Sequence, residues 1–280
     1  MLLDFHMHSI FSDGTDTVEK IFKRVKDKGL NFFSITDHDS LDSQRYVFER
    51  KDAFSSYGIN YITGLEISTD YKINLDILGY GCDIYDKNLN SKLDEVLDFR
   101  SKRNEMMVEL FNKNGIDISM EELKDIAGND IVGRPHFARL LLNKGYVKTQ
   151  NEAFEKFIGD GKKFNIDKKK LSVKESIELI RSSGGIPVLA HPIYLYDDPD
   201  FEFQLKKMVS YGLMGMEVYY SQNSMKHTDY FERTAKKYDL LFTAGSDYHG
   251  KNKNIDIGQI NYNYNNLEKT IDFFKGKFII

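Results

Sequence analysis

The chain has 280 residues, with 39 Lys and Arg against 43 Asp and Glu, for a formal net charge of −4. With 41% hydrophobic and 29% charged residues it has the make-up of a globular protein, which excludes extensive disorder. The mild acidity excludes a broad basic track for nucleic acid but leaves room for a small anion held by local charge.

Residues 1–5 read as a first strand. The apolar spacing of Val18, Ile21, Phe22 and Val25 predicts a helix over 17–28, capped by Thr17. A second strand is expected at 31–35 and a helical stretch at 41–57. A third strand leads from Tyr61 toward Glu66, and the alternation Ile73, Leu75, Ile77 predicts a fourth over 73–80. The rhythm then changes. Leu93, Val96 and Leu97, then Met107, Leu110 and Phe111, repeat at helical spacing until Gly115 stops the helix. Shorter helices are expected at 120–126, 135–143, 152–158 and 173–183. Strands return at 186–190, 214–218 and 240–244, alternating with helices at 203–211 and 224–238. No internal repeat or Gly/Pro/Ser-rich linker interrupts the chain. Seven β/α-type strands imply an α/β fold with parallel pairing, closed or nearly closed into a barrel. On this reading 1–88 and 184–280 form the barrel, and 89–183 is an inserted helical lid.

The residues that follow the strands carry the chemistry. They are His6 and His8, then Asp37, His38 and Asp39, then Glu66, His191, and finally Asp247 and His249. Parallel barrels gather their strand C-termini on one rim, where active sites lie. Imidazole nitrogen and carboxylate oxygen are ligands of zinc, manganese and iron. In His6-x-His8 the period of two puts both rings on one face of a strand, a natural spacing for two ligands of one ion. Each of these residues alone has an ordinary structural reading. Their joint placement at successive strand ends favours a metal site.

Taken together, His6-x-His8, Ser12-Asp13-Gly14, Thr36-Asp37-His38-Asp39, Gly64-Leu65-Glu66, Ala190-His191-Pro192 and Ser246-Asp247-x-His249 resemble the motifs of the PHP (polymerase and histidinol phosphatase) family. The resemblance runs the length of the chain. It implies a distorted, seven-stranded TIM-like barrel and two or three divalent ions (Mn, Fe or Zn) that cleave phosphoesters. Gly133-Arg134-Pro135-His136 and Gly159-Asp160-Gly161-Lys162 in the insertion are similar to one branch of that family. That branch contains 3′,5′-bisphosphate nucleotide phosphatases and short-oligonucleotide 5′→3′ exonucleases.

By that resemblance His6, His8, Glu66 and Asp247 would hold a first ion, and Asp13, His38 and His249 a second. Glu66 would bridge to a third ion that also uses His191. Asp76 stands where the family usually has histidine, so it either ligates through oxygen or leaves one site weak. Such ions acidify a shared water and clamp phosphate oxygens. The catalytic set is His191, His249 and Asp247, with His191, His249 or a bound water as the source of the leaving group's proton.

Arg134, His136 and Lys162 are the expected substrate contacts, because a guanidinium fork and a helix start both suit phosphate. The plainer alternatives are an Arg134 paired with an acidic neighbour, a surface His136 and a solvated Lys162. Lys168-Lys169-Lys170 reads as a solvated face, and His227 as a non-ligand. Glu217 would orient a ligand or meet the lid. Tyr219 and Tyr220 read as core, with base stacking as the alternative. Asp37 and Asp39 would fix histidine orientation. Cys82 reads as a core filler.

The expected function is therefore phosphomonoester hydrolysis on a small nucleotide, foremost a 3′,5′-bisphosphate. The rivals are a 5′→3′ exonuclease on short oligonucleotides, a histidinol-phosphatase-like enzyme, and a non-catalytic metal- and phosphate-binding regulatory domain. No apolar run approaches the roughly 18 residues of a membrane span. The opening MLLDFHMHS lacks the basic start of a secretory leader, and one cysteine forms no internal disulfide. The expected location is the cytoplasm, with no membrane and no obligate protein partner.

Overall fold

The computed structural model describes residues 2–73, 75–128, 132–159, 161–166 and 170–280. It divides into two compact units, Met1–Leu93 with Lys170–Ile280, and Asp94–Lys169. Met1, Asp160, Lys168 and Lys169, which figure in the sequence reading, lie outside the described residues.

The first unit is α/β. Its strands are β1 (Leu3–Asp4), β2 (Phe32–Phe33), β3 (Asn60–Tyr61), β4 (Gly64–Asp70), β5 (Asp76–Tyr80), β6 (Leu171–Ser172), β7 (Ile186–Leu189), β8 (Gly215–Tyr220) and β9 (Leu241–Gly245). They form a parallel sheet ordered β1-β2-β3 and a second sheet ordered β6-β4-β5-β7-β8-β9. The expectation of purely parallel pairing fails at β5, which runs antiparallel to both β4 and β7. The reason is the connection. Only residues 71–75 join β4 to β5, too few for the crossover that parallel neighbours need.

The paired strands thus form two sheets and not one continuous barrel wall. Single bridges join them: Met7 to Tyr248, His38 to Glu66 and Ile62 to Phe278. Phe5 N–H also donates to Ala244 O at 2.9 Å, and Asp247 N–H to His6 O at 2.8 Å. Gly64 marks one close crossing. A Cβ there would lie 2.2 Å from Ser34 Oγ and 2.9 Å from Ile35 O, so the approach of β4 to the chain after β2 requires glycine.

The helix Val18–Asp27 buries Val18, Ile21, Phe22 and Val25, and Thr17 accepts from Lys20 N–H as its cap. Those side chains pack with Phe33, Val47, Phe54 and Tyr61. The stretch expected as one helix over 41–57 is two, Asp42–Glu49 and Lys51–Ser55, because Arg50 leaves helical geometry between them. The helix Val173–Ser182 was placed with the insertion on sequence grounds. It belongs to the first unit, where Ile180 packs against the backbone of Gly79 in β5.

The second unit is helical, with Met120–Ala127, Arg134–Asn143 and Gln150–Ala153, the last running into a π-turn at Phe154–Ile158. The helix Lys87–Lys113 enters it from the first unit. Its core gathers Met107, Phe111, Leu123, Phe137 and Leu141, and the Phe111 and Phe164 rings stack at 4.2 Å. Ser119 and Glu122 close a reciprocal cap on Met120–Ala127. Among the described residues no helix is long and apolar enough to cross a membrane.

Candidate metal centre

The centre is assembled from segments beyond β1, β2, β7 and β9 together with residues inside strands: Glu66, expected just after a strand, lies within β4, and Asp76 opens β5. After β1 the backbone is held by Asp4, which is fully buried. Its carboxylate accepts from His6 N–H at 3.2 Å, Ser246 N–H at 2.9 Å and Gly258 N–H at 2.8 Å. Burial raises this carboxyl to about 6 in spite of those donors. Asp4 thereby ties the segment carrying His6 and His8 to the loop carrying Asp247 and His249. Asp37 accepts from Ser9 N–H and from the hydroxyls of Ser9 and Ser12 at 2.6–2.8 Å. It fixes the loop that carries Asp13, where the sequence suggested a hold on a histidine ring. Asp39 accepts from Ser68 N–H at 3.1 Å. Three of the residues involved have left-handed backbones without being glycine: Asp39 (φ 51°), His191 (φ 26°) and Asp247 (φ 58°). Such strain collects at functional sites.

Among the described residues, three groups of His, Asp and Glu each present donor atoms within 4.8 Å of one another. The first is His6, His8 and Asp247. His6 Nε2 and His8 Nε2 face each other at 3.1 Å, and both approach Asp247 Oδ1, at 3.7 and 3.4 Å. The second is His8, Asp13, His38 and His249, with His249 Nε2 3.2 Å and His38 Nε2 3.8 Å from Asp13. The third is Glu66, Asp76 and His191, with His191 Nε2 2.9 Å from Glu66 and 3.5 Å from Asp76. Glu66 links the groups. Its Oε1 meets His191, and its Oε2 lies 3.2–3.3 Å from His6, His8 and His38. The structure thus brings together all nine residues that the sequence singled out as metal ligands, and His8 reaches two groups.

The electrostatics suit cations. Burial opposes charge on His6, but Glu217, Glu66 and Asp247 outweigh it and hold the ring well above the ordinary histidine range. The same contest, with Asp247, Glu66 and Asp13, lifts His8 to about 10. Burial also opposes the charge of Glu66 and Asp247. Neighbouring histidines, and Lys253 for Asp247, nevertheless hold both carboxyls well below their usual range. Burial together with Glu66 pushes Asp76 up to about 6, and burial lowers His38 to about 4. Among the described residues Nδ1 of His191 is buried with no hydrogen-bond partner, and Nδ1 of His38, though 3.2 Å from Glu66 Oε2, is buried without a hydrogen bond. Facing imidazole nitrogens, clustered carboxylates and unmatched ring atoms fit divalent cations, and an all-nitrogen-and-oxygen donor set suits Mn, Fe or Zn.

Other residues hold these side chains in place. Glu217 is fully buried. One oxygen meets His6 Nδ1 at 2.9 Å and the other accepts from His191 N–H at 2.8 Å, so it orients a candidate ligand. Tyr220 OH donates to Asp247 Oδ2 at 2.9 Å, and Lys253 Nζ meets the same oxygen at 2.5 Å. Strand alternation hid Tyr220. A bulge between Glu217 and Tyr219 shifts the register of β8, so Glu217 and Tyr220 both serve the centre. Lys253 and Asp4 had no motif to betray them. The half-exposed Tyr194 sets its ring edge-on to His191 at 5.2 Å. Tyr219 instead bonds Glu232 and Asn266, and His227 Nδ1 accepts from Ser224 N–H as part of a helix cap.

The three expected substrate contacts lie in the helical unit. Arg134 is half-buried and donates to Ile158 O and Asn165 Oδ1 at 3.5 and 3.4 Å. His136 Nδ1 accepts from Gly133 N–H at 2.9 Å, and Lys162 is exposed.

Comparison with known proteins agrees with this geometry. The PHP domain family matches residues 4–164. The 5′-3′ exoribonuclease of Haemophilus influenzae is 28% identical over 258 residues, covering 91% of this chain and 93% of that protein. The 3′,5′-nucleoside bisphosphate phosphatase of Chromobacterium violaceum is 27% identical over 250 residues, covering 88% and 87%. A solved structure from Bifidobacterium adolescentis, provisionally named a metal-dependent phosphoesterase, superposes with a TM-score of 0.78 at 27% identity, covering 96% of this chain and 95% of that one. The chain belongs to the PHP domain family, and it is a phosphoric ester hydrolase of the metal-dependent kind.

Proposed function

We propose that the enzyme removes a phosphate from small nucleotides, foremost the 3′-phosphate of a 3′,5′-bisphosphate. The observation that carries this is the convergence of nine His, Asp and Glu side chains into three adjoining groups, in a chain similar along most of its length to a bisphosphate phosphatase. His6, His8 and Asp247 would hold one ion, Asp13, His38 and His249 with His8 another, and Glu66, Asp76 and His191 a third. When bound, Mn, Fe or Zn ions supply Lewis acidity toward phosphate oxygens and an acidified water. His191 and His249 are taken as the groups able to pass a proton to the leaving oxygen, and Asp247, which lies 3.4–3.7 Å from His6 and His8, as the third member of the catalytic set. Glu217 and Tyr220 keep the rings and carboxylates from rotating away.

Finer points belong to the same reading. The two bridged sheets are taken as a distorted barrel of seven β/α-type strands, with the helical insertion as a lid. Arg134, His136 and Lys162 are taken as substrate contacts, and the enzyme is placed in the cytoplasm without an obligate partner. A second reading, 5′→3′ cleavage of short oligonucleotides, is favoured by the likeness to the Haemophilus exoribonuclease.

The test is hydrolysis by the Mn²⁺-loaded protein. Adenosine 3′,5′-bisphosphate should yield phosphate and adenosine 5′-phosphate. Activity on other monoesters with none on the bisphosphate would sink the substrate assignment. A ladder of mononucleotides from a 5′-phosphorylated oligomer would establish the second reading. His38→Ala and Asp247→Ala should each abolish turnover while leaving the circular dichroism spectrum unchanged.

A further inference from the structure

The segment carrying His6 and His8 runs beside the one carrying Asp247 and His249. Asp247 N–H donates to His6 O and His8 N–H to Tyr248 O, both at 2.8 Å, and Met7 and Tyr248 form a parallel bridge. Side chains alternate along such a pair. The four candidate ligands therefore meet at the centre, while Met7 and Tyr248 join the apolar core. The Tyr248 ring is buried, and its hydroxyl donates to Asp16 Oδ2 at 2.5 Å. Asp16 is buried as well and also accepts from Lys20 Nζ at 2.5 Å.

Asp16 closes the loop that carries Asp13. Ile10 N–H donates to Asp16 O at 3.1 Å and Gly14 N–H to Ser9 O at 3.0 Å. Asp37 holds the first half of this loop through Ser9 and Ser12. The second half is held from the other side. Asn252 Nδ2 donates to Asp13 O at 2.8 Å, and Lys251 N–H donates to Thr15 Oγ1 at 2.8 Å. Gly250, with a φ of +66°, permits this approach, since a Cβ there would lie 2.1 Å from Thr15 Oγ1. Asp13 depends on such a hold more than its fellow ligands do. Its side chain is 54% exposed, against 0% for His8, 22% for His38 and 4% for His249. With little packing around the carboxylate, its backbone sets its place.

We infer that Tyr248 and Asn252 are positioning residues for the metal centre: the Tyr248 hydroxyl and the Asn252 amide latch the loop 10–16 and so set Asp13 among His8, His38 and His249. The inference rests on the metal-centre reading above and adds to it the groups that complete the second donor set. Tyr248 stands between two candidate ligands without being one. Its neighbours face the centre, and its hydroxyl ties their segment to the loop that brings the fourth donor.

The test is Mn²⁺ calorimetry on wild type, Asn252→Ala, Tyr248→Phe, Asp13→Ala and the two double variants that include Asp13→Ala. Asn252 is exposed, so its truncation leaves the core intact. Asp13→Ala should weaken one class of bound ion, and Asn252→Ala and Tyr248→Phe should each weaken that same class about tenfold. In the Asp13→Ala background neither should add a further loss, because both act through Asp13. Unchanged affinities, equal weakening of every ion, or full additivity with Asp13→Ala overturns the latch. If Tyr248→Phe fails to fold, Asn252→Ala decides alone. Amide hydrogen exchange in EDTA gives a readout that needs no ion. Exchange at Ile10 and Gly14 should quicken in both latch variants while β8 keeps its wild-type protection. If wild type binds no Mn²⁺, the metal reading falls separately and these two amides decide the latch: faster exchange supports it, and unchanged exchange removes it.

Discussion

Glu217 shows how much one buried carboxylate decides. It holds the His6 ring through one oxygen and the His191 backbone through the other. In Glu217→Gln the amide keeps one acceptor, so one of the two contacts is lost. Mn²⁺ affinity measured by calorimetry should fall about 10–100-fold with the fold retained. The sequence placed Glu217 at the end of a strand, whereas it lies inside β8, and gave no sign of which neighbour it meets. Proton traffic at the centre gives a second prediction. With His6 and His8 held protonated by the surrounding carboxylates, ion uptake must displace protons. Mn²⁺ binding at pH 7 should release protons, seen as a binding enthalpy that varies with the buffer's ionisation enthalpy. The sign for stability follows from His8. Its proton, held to about 10 against the usual 6.5, stabilises the chelated protein fully below pH 6.5, and that contribution is lost as pH rises through about 10. In EDTA the melting temperature should therefore fall between pH 7 and 10. The candidate ligand residues were legible because most stand in short motifs at or beyond strand ends, although Glu66 lies within β4 and Asp76 opens β5. Lys253 and Asp4 were not, since their roles arise from contacts across 6 residues and across 242–254 residues of chain respectively.

At the scale of elements, β9 ends on a glycine for a stated reason. A Cβ at Gly245 would lie 2.0 Å from Glu217 Oε1 and 2.3 Å from His6 Cβ. Gly245→Ala must displace one or both, so activity should drop sharply, and stability followed by denaturant unfolding should fall by an amount typical of overpacking, about 1–3 kcal/mol. If activity is untouched, the strand end is looser than the structure has it. Helices and their caps were readable because they rest on local spacing: Thr17 caps its helix as the sequence suggested. The direction of β5 was not, although its alternating pattern was clear. Side-chain alternation gives the faces of a strand but not the sense in which it pairs. The bulge in β8 escaped for a similar reason, since a register shift is a property of two strands and not of one.

At the scale of the whole molecule, the two units have separate cores. Phe111 is fully buried in the helical unit and stacks on Phe164. Phe111→Ala should cost that unit about 3–5 kcal/mol. Hydrogen exchange should accelerate in Met120–Ala127 and Arg134–Asn143 while β7 to β9 stay protected. Acceleration throughout would show that the two cores unfold as one.

The sequence by itself determined the α/β character, the presence of a helical stretch between the strands, the candidate His, Asp and Glu residues that the fold gathers and the family, because these follow from periodicity and from motifs a few residues long. Only the tertiary structure decided the antiparallel β5, the return of Val173–Ser182 to the first unit, the sharing of His8 and Glu66 among donor groups, and the supporting roles of Asp4, Glu217, Tyr220 and Lys253. These depend on distance in space between residues far apart in the chain, and local pattern does not encode distance.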